Sequence, residues 1–116
     1  MGVRKDLDII DTRYIYYLID NKTNVVLYVG TAKDPKKRYK THLRKIKSNN
    51  SALIYQYCIK HKIQLKLKVV KKLYGSYADA EKIEIENIIK HKDTVLNFYN
   101  NPNKKNYYRI EETLNK

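Results

Sequence analysis

Tyr14-Ile15-Tyr16-Tyr17-Leu18-Ile19, then the polar break Asp20-Asn21-Lys22-Thr23-Asn24, then Val25-Val26-Leu27-Tyr28-Val29 closed by Gly30: this stretch decides the fold. Its two apolar runs are aromatic or β-branched except for their leucines, the composition that packs well on a pleated surface. The residues between them are turn formers. Together they predict a β-hairpin, with Gly30 ending its second strand. Side chains alternate along a strand, so Tyr14 and Tyr16 share one face while Tyr17 takes the other. Tyr28, on the partner strand, is expected to meet Tyr16 across the pair.

The rest of the chain builds outward from that hairpin. Asp34-Pro35 pairs an N-cap oxygen with a proline at the first helical position, and predicts a basic helix over 35–46 with Tyr39, Leu43 and Ile46 on its apolar side. Lys47-Ser48-Asn49-Asn50 breaks it. Ser51 is read as the cap of a second helix to about His61, with Ile54, Tyr55, Cys58 and Ile59 buried. Leu65-Lys66-Leu67-Lys68-Val69 alternates as a half-exposed strand and continues to Leu73, with Gly75 ending it. Ser76 caps a last helix to about Lys92, followed by Val95-Leu96-Asn97. The order β-β-α-α-β-α predicts an α+β fold with a small three-stranded antiparallel sheet. Residues 1–13 read as a lead-in, with Leu7, Ile9 and Ile10 free to fold back on the core. The working domain is 14–99, and 100–116 is a polar tail.

Length and composition bound the function. One domain fits in 116 residues, and 42% apolar residues suffice for a modest core. No apolar run reaches the length of a membrane span, and the N-terminus has no apolar signal core. A single cysteine, Cys58, excludes an internal disulfide framework and suits a reducing compartment. The expectation is an intracellular, cytoplasmic protein without a membrane partner, monomeric by default, with a dimer left open. Lys and Arg number 25 against 12 acids, a net charge of +13, which attracts polyanions and above all nucleic acid.

Ten residues after Tyr28 comes Arg38, with His42 one helical turn further on the same face. Glu84 follows on the last helix. Two phenols, a guanidinium, an imidazole and a carboxylate are thereby offered to one site.

At these residues the sequence resembles the GIY-YIG nucleases. Tyr14-Ile15-Tyr16 stands where that family has Gly-Ile-Tyr, with Tyr14 in place of the glycine, and Tyr28-Val29-Gly30 stands where it has Tyr-Ile-Gly. The stretch Thr31 to His42 is similar to the family's next segment, in which an Arg is followed by a His four residues on. Ile83-Glu84 with Ile88-Ile89-Lys90 is similar to its metal-binding glutamate helix, and Leu96-Asn97 to its closing asparagine. The resemblance implies metal-dependent hydrolysis of DNA phosphodiester bonds by a free-standing endonuclease, with Mg²⁺ or Mn²⁺ on Glu84. Tyr16, Tyr28, Arg38, His42 and Glu84 would be catalytic, with Tyr16 or Tyr28 orienting the attacking water. Lys33, Lys37, Lys40, Arg44 and Asn97 would contact DNA, Asn97 alternatively bracing the site. Glu86 and Glu81 remain alternatives to Glu84, and a non-catalytic nucleic-acid-binding module on the same fold is the alternative function.

Other residues carry plainer expectations. Tyr17, Tyr39, Tyr55 and Tyr57 read as packing tyrosines. Cys58 and His61 lack the second pair that a metal site needs and read as a partly buried pair. His91, near a helix C-terminus, reads as a favourable contact with the helix dipole.

Overall fold

A computed structural model of the protein describes residues 9–97 and Glu112. The lead-in up to residue 8 and the tail expected over 100–116, Glu112 apart, lie outside the described residues. The elements follow one another as β1 (Asp11–Asp20), β2 (Val26–Ala32), α1 (Pro35–Lys47), α2 (Leu53–His61), β3 (Leu65–Gly75) and α3 (Tyr77–Lys90). The sheet is three-stranded and antiparallel with β1 in the centre, order β2-β1-β3. This is the α+β arrangement that the sequence predicts. Among the described residues no helix is long and apolar enough to cross a membrane.

Alternation along β1 divides the core. Tyr16 and Leu18 face the front, where Leu27, Leu53, Ile54, Tyr55, Cys58 and Leu65 pack. Ile15, Tyr17 and Ile19 face the reverse, where Ile88 of α3, Val29 and Val95 pack. Each fully buried aliphatic or aromatic side chain stabilises the fold by about 1.5–3 kcal/mol. Helices α1 and α2 therefore lie on the front face and α3 on the reverse. Two bulges adjust the pairing: Leu27 is an extra residue in β2 between the partners of Leu18 and Ile19, and Val70 is an extra residue in β3 opposite Ile15 and Tyr16. The first lets neighbours Leu27 and Tyr28 both join the front core.

Local chemistry explains the element ends. Asn24 takes the left-handed conformation the hairpin turn demands, at φ 61°. The Asp34 carboxylate accepts from the Lys37 N–H at 3.1 Å and Pro35 sits in the first turn, so α1 starts where expected. Ser76 and Asp79 form a reciprocal capping box at the start of α3.

Several expectations need correction. The first strand begins at Asp11, because Asp11, Thr12 and Arg13 pair with Gly75, Tyr74 and Leu73 of β3. Ile9 and Ile10 are exposed and do not return to the core. Gly30 does not end β2; it sits inside the strand opposite Tyr16, and pairing continues to Ala32. The cap of α2 is Ala52, without a side-chain bond, while Asn50 Oδ1 accepts from the Ala52 N–H. On α1 the buried residue is His42, between half-buried Tyr39 and Ile46, while Leu43 is exposed; Ile59 of α2 is exposed as well.

After α3 the chain runs along the outer edge of β2. Thr94 Oγ1 donates to Val26 O at 2.7 Å, and Leu96 N donates to Leu27 O at 2.8 Å. The Asn97 amide accepts from Val29 N at 3.0 Å and donates to Val29 O at 2.8 Å, replacing the missing neighbour strand.

Candidate active site

The site grows from Tyr16, which is only 1% exposed. Its hydroxyl lies 2.9 Å from His42 Nε2, with the Arg38 guanidinium close enough for its charge and N–H groups to act on the phenol. The other imidazole nitrogen, Nδ1, lies 2.8 Å from the Tyr55 hydroxyl. Arg38 and His42, one turn apart on α1, therefore both reach the same phenol. Gly30 makes this seat possible. A Cβ at that position would overlap the hydroxyl end of the Tyr16 ring, so glycine serves here for space and not for an unusual backbone angle.

Tyr28 completes the ring cluster. Its centroid lies 6.3 Å from that of Tyr16 and 5.1 Å from that of His42, the latter edge-on. Unlike Tyr16 it is partly exposed. Glu84, on α3, accepts from Thr31 Oγ1 at 3.3 Å, just past Gly30 on β2.

Burial dominates the electrostatics. It pushes the Tyr16 phenol well above its usual range, with the Tyr28 phenol adding to this and Arg38 opposing it. Burial, followed by the charge of Glu84, pushes Tyr28 up to about 12, again with Arg38 opposing. Burial pulls His42 down to about 4, helped by the charges of Arg38 and Lys45, so its imidazole is neutral at neutral pH. Burial works against the Arg38 cation, but the oxygens of Tyr16, Tyr28 and Tyr55 outweigh it and raise its pKa.

The structure thus gathers Tyr16, Tyr28, Arg38 and His42, with Glu84 near enough for its charge to act on Tyr28. Of the alternative acids, Glu86 is exposed on the reverse side, in a groove with Tyr17, Lys68 and Lys71, while Glu81 acts, as Glu84 does, on Tyr77. Lys37, Lys40 and Arg44 are exposed on α1, and Lys33 is exposed in an ion pair with Asp11 at 3.1 Å. Asn97 does not fit the expected DNA contact: its buried amide grips the Val29 main chain, which is a bracing geometry.

Sequence reasoning missed Tyr55, read as plain packing, which holds the far side of His42. It also missed Thr31, which holds Glu84, although Thr31 stands directly after the conspicuous Gly30. Tyr39 is a packing residue, its hydroxyl donating to Leu65 O at 2.6 Å. Cys58 is buried and its thiol pushed up to about 12, chiefly by burial, whereas His61 is exposed and meets the Tyr57 ring at a tilt, with centroids 4.6 Å apart. Among the described residues no group of three or more His, Cys, Asp or Glu could hold a metal ion.

Comparison with known proteins gives one result. A family model described as the GIY-YIG catalytic domain matches residues 13–100, most of the chain. Neither the curated proteins nor the solved structures give a significant match.

Proposed function

The chain belongs to the GIY-YIG family, a family of nucleases, and from that premise we propose that it is a metal-dependent endonuclease hydrolysing DNA phosphodiester bonds. The observation that carries this reading is the chain of contacts from Arg38 through Tyr16 and His42 to Tyr55, beside the partly open Tyr28.

Each group has a task its environment supports. A guanidinium only donates, so the Tyr16 oxygen accepts from Arg38 and its own proton turns to His42 Nε2, leaving Nδ1–H to donate to Tyr55. This anchoring holds the Arg38 fork ready for the non-bridging phosphate oxygens, whose negative charge it stabilises as water attacks. Tyr28 is the phenol open to substrate and orients the attacking water. A phenol raised to about 12 takes the water's proton only by giving up its own. His42 holds Tyr16 through Nε2 and packs its ring edge against Tyr28, and the proton that Tyr28 gives up passes to solvent at the open side of its ring. The bond to the 3′ oxygen breaks as the bond to water forms, and the departing oxygen takes a proton from solvent water, giving a 3′-hydroxyl and a 5′-phosphate.

Glu84 is the residue that would hold a divalent cation. A lone carboxylate with a threonine hydroxyl suits Mg²⁺ or Mn²⁺, because such ions keep most of their waters and take remaining ligands from substrate phosphate. When bound, the ion supplies charge stabilisation at the phosphate and leaving oxygen. Lys37, Lys40 and Arg44 on the outer side of α1 would contact the DNA backbone.

Supercoiled plasmid offered with Mg²⁺, Mn²⁺ or a chelator tests this reading. Nicking or linearisation by wild type with metal only, abolished in Glu84→Gln with DNA binding retained, is the expected outcome. Wild-type protein that retards DNA in a salt-dependent manner yet cuts none would instead be a binding module.

A further inference from the structure

The front face of the sheet extends beyond the part its helices cover. Around Leu18, Leu27 and Leu65 that face lies under α1 and α2, and toward the start of β1 Tyr16, beside His42, is its last buried residue on that strand. Toward the start of β1, the cross-strand pairs Tyr14 with Lys72 and Thr12 with Tyr74 point to the same side as Tyr16. Ala32, opposite Tyr14 on the other flank, packs with the front core, which fixes the side. Here Val69, opposite Tyr16, is 47% exposed, and Tyr74 is 77% exposed. Tyr14 is partly open and Lys72 is exposed.

A ring with that much surface free contributes little to packing. Among the described residues no carboxylate stands with the front-facing side chains of this open part: Thr12, Tyr14, Ala32, Val69, Lys72 and Tyr74. Arg38, itself exposed, stands at its border through Tyr16. Aromatic rings interleaved with cations and free of acids fit a polyanion that offers flat apolar faces.

We propose that this open half of the front face is a stacking platform for unpaired nucleotides of DNA, leading away from the phosphate held at Arg38. The inference rests on the nuclease reading above and deepens it, naming DNA with a single-stranded stretch as the substrate class. Paired duplex hides its base faces in the stack, so it offers these rings nothing to cover. An unpaired strand offers every base, whatever its sequence, while Lys72 tracks its backbone. At about 3.4 Å per residue, Tyr14 stands about 7 Å and the Tyr74 row about 14 Å along β1 from Tyr16, so the rings follow one another along a path.

The test is fluorescence anisotropy of the full chain in chelator, with a forked DNA carrying unpaired arms beside a fully paired duplex of equal length. Wild type is expected to bind the fork roughly tenfold or more tightly than the duplex. Tyr74→Ala and Tyr14→Ala should each weaken fork binding by about 5- to 150-fold and leave duplex binding unchanged. Tyr74→Phe should keep the preference, because the ring and not the hydroxyl stacks. Equal affinity for both DNAs would overturn the platform, as would alanine variants that weaken both equally or change only the protein's own association. The nuclease reading fails separately: no cleavage of either DNA with Mg²⁺ or Mn²⁺, with fork preference intact, removes the activity and leaves the platform as a binding surface.

Discussion

Tyr16 and Tyr17 are neighbours in β1, and each is met by a histidine on its own side of the sheet. On the front, Tyr16 shares its hydroxyl between Arg38 and His42, and His42 is held at its other nitrogen by Tyr55. On the reverse, His91 meets the Tyr17 ring edge-on at 5.0 Å, while the Tyr17 hydroxyl donates to Asn87 Oδ1. His91 Nε2 is buried and has no hydrogen-bond partner among the described residues. Burial, with Lys90 adding, lowers the pKa of His91, so the charged dipole contact expected from its place at the end of α3 is disfavoured. The same pair of residue types thus forms a polar chain ending in a cation on one face and a packing contact on the other. What sets the front pair apart is the third and fourth partner, not the tyrosine or the histidine.

That contrast can be broken most sharply at the charged groups. Arg38→Ala should lower the single-turnover cleavage rate by about 10²–10³-fold or more, the cost of removing one charge-stabilising donor. Glu86→Gln on the reverse side should leave the rate within about twofold, since surface changes away from such sites are nearly neutral. A loss in Glu86→Gln matching that in Glu84→Gln would place the ligand on the wrong face.

The pH dependence of stability comes next. His42 falls to about 4 in the fold, against about 6.5 when unfolded, so the unfolded chain binds more protons between those values. Stability should therefore be complete above about pH 6.5 and decline by up to about 3 kcal/mol as pH falls toward 4. Denaturant melts across that range should show this slope, and His42→Gln should flatten it. His91 contributes with the same sign, so a slope unchanged in His42→Gln would assign the effect to the reverse face.

Gly30→Ala should destabilise the fold by about 1–3 kcal/mol through overpacking against Tyr16, and cut activity further by displacing that ring. Thermal melts alongside rates would separate the two effects. Smallest is Tyr17→Phe, which loses one hydrogen bond to Asn87, worth about 1 kcal/mol, with no change in cleavage.

Much of this was legible before the structure. The apolar runs of the hairpin, Asp34-Pro35 and Ser76 all act locally, and local chemistry is what a sequence displays. The spacing from Tyr28 to Arg38 to His42 announced the front site for the same reason, since one turn of helix joins the last two. Long-range partners were hidden. Nothing near Tyr55 in the chain reveals that its hydroxyl meets His42, and the grip of Asn97 on Val29 spans 68 residues. Gly30 was read as a strand end because glycine usually breaks strands; its true role, room for the Tyr16 ring, exists only once β1 and β2 pair.

The most direct test compares Tyr16→Phe with Tyr17→Phe, each checked for native melting, in Mg²⁺-dependent single-turnover DNA cleavage. The front network predicts a loss of about 10²-fold or more in Tyr16→Phe, where Arg38 and His42 lose their shared hydroxyl, and a near wild-type rate in Tyr17→Phe. Equal rates in the two variants, or a wild type that cuts no DNA with Mg²⁺ or Mn²⁺, would contradict the account.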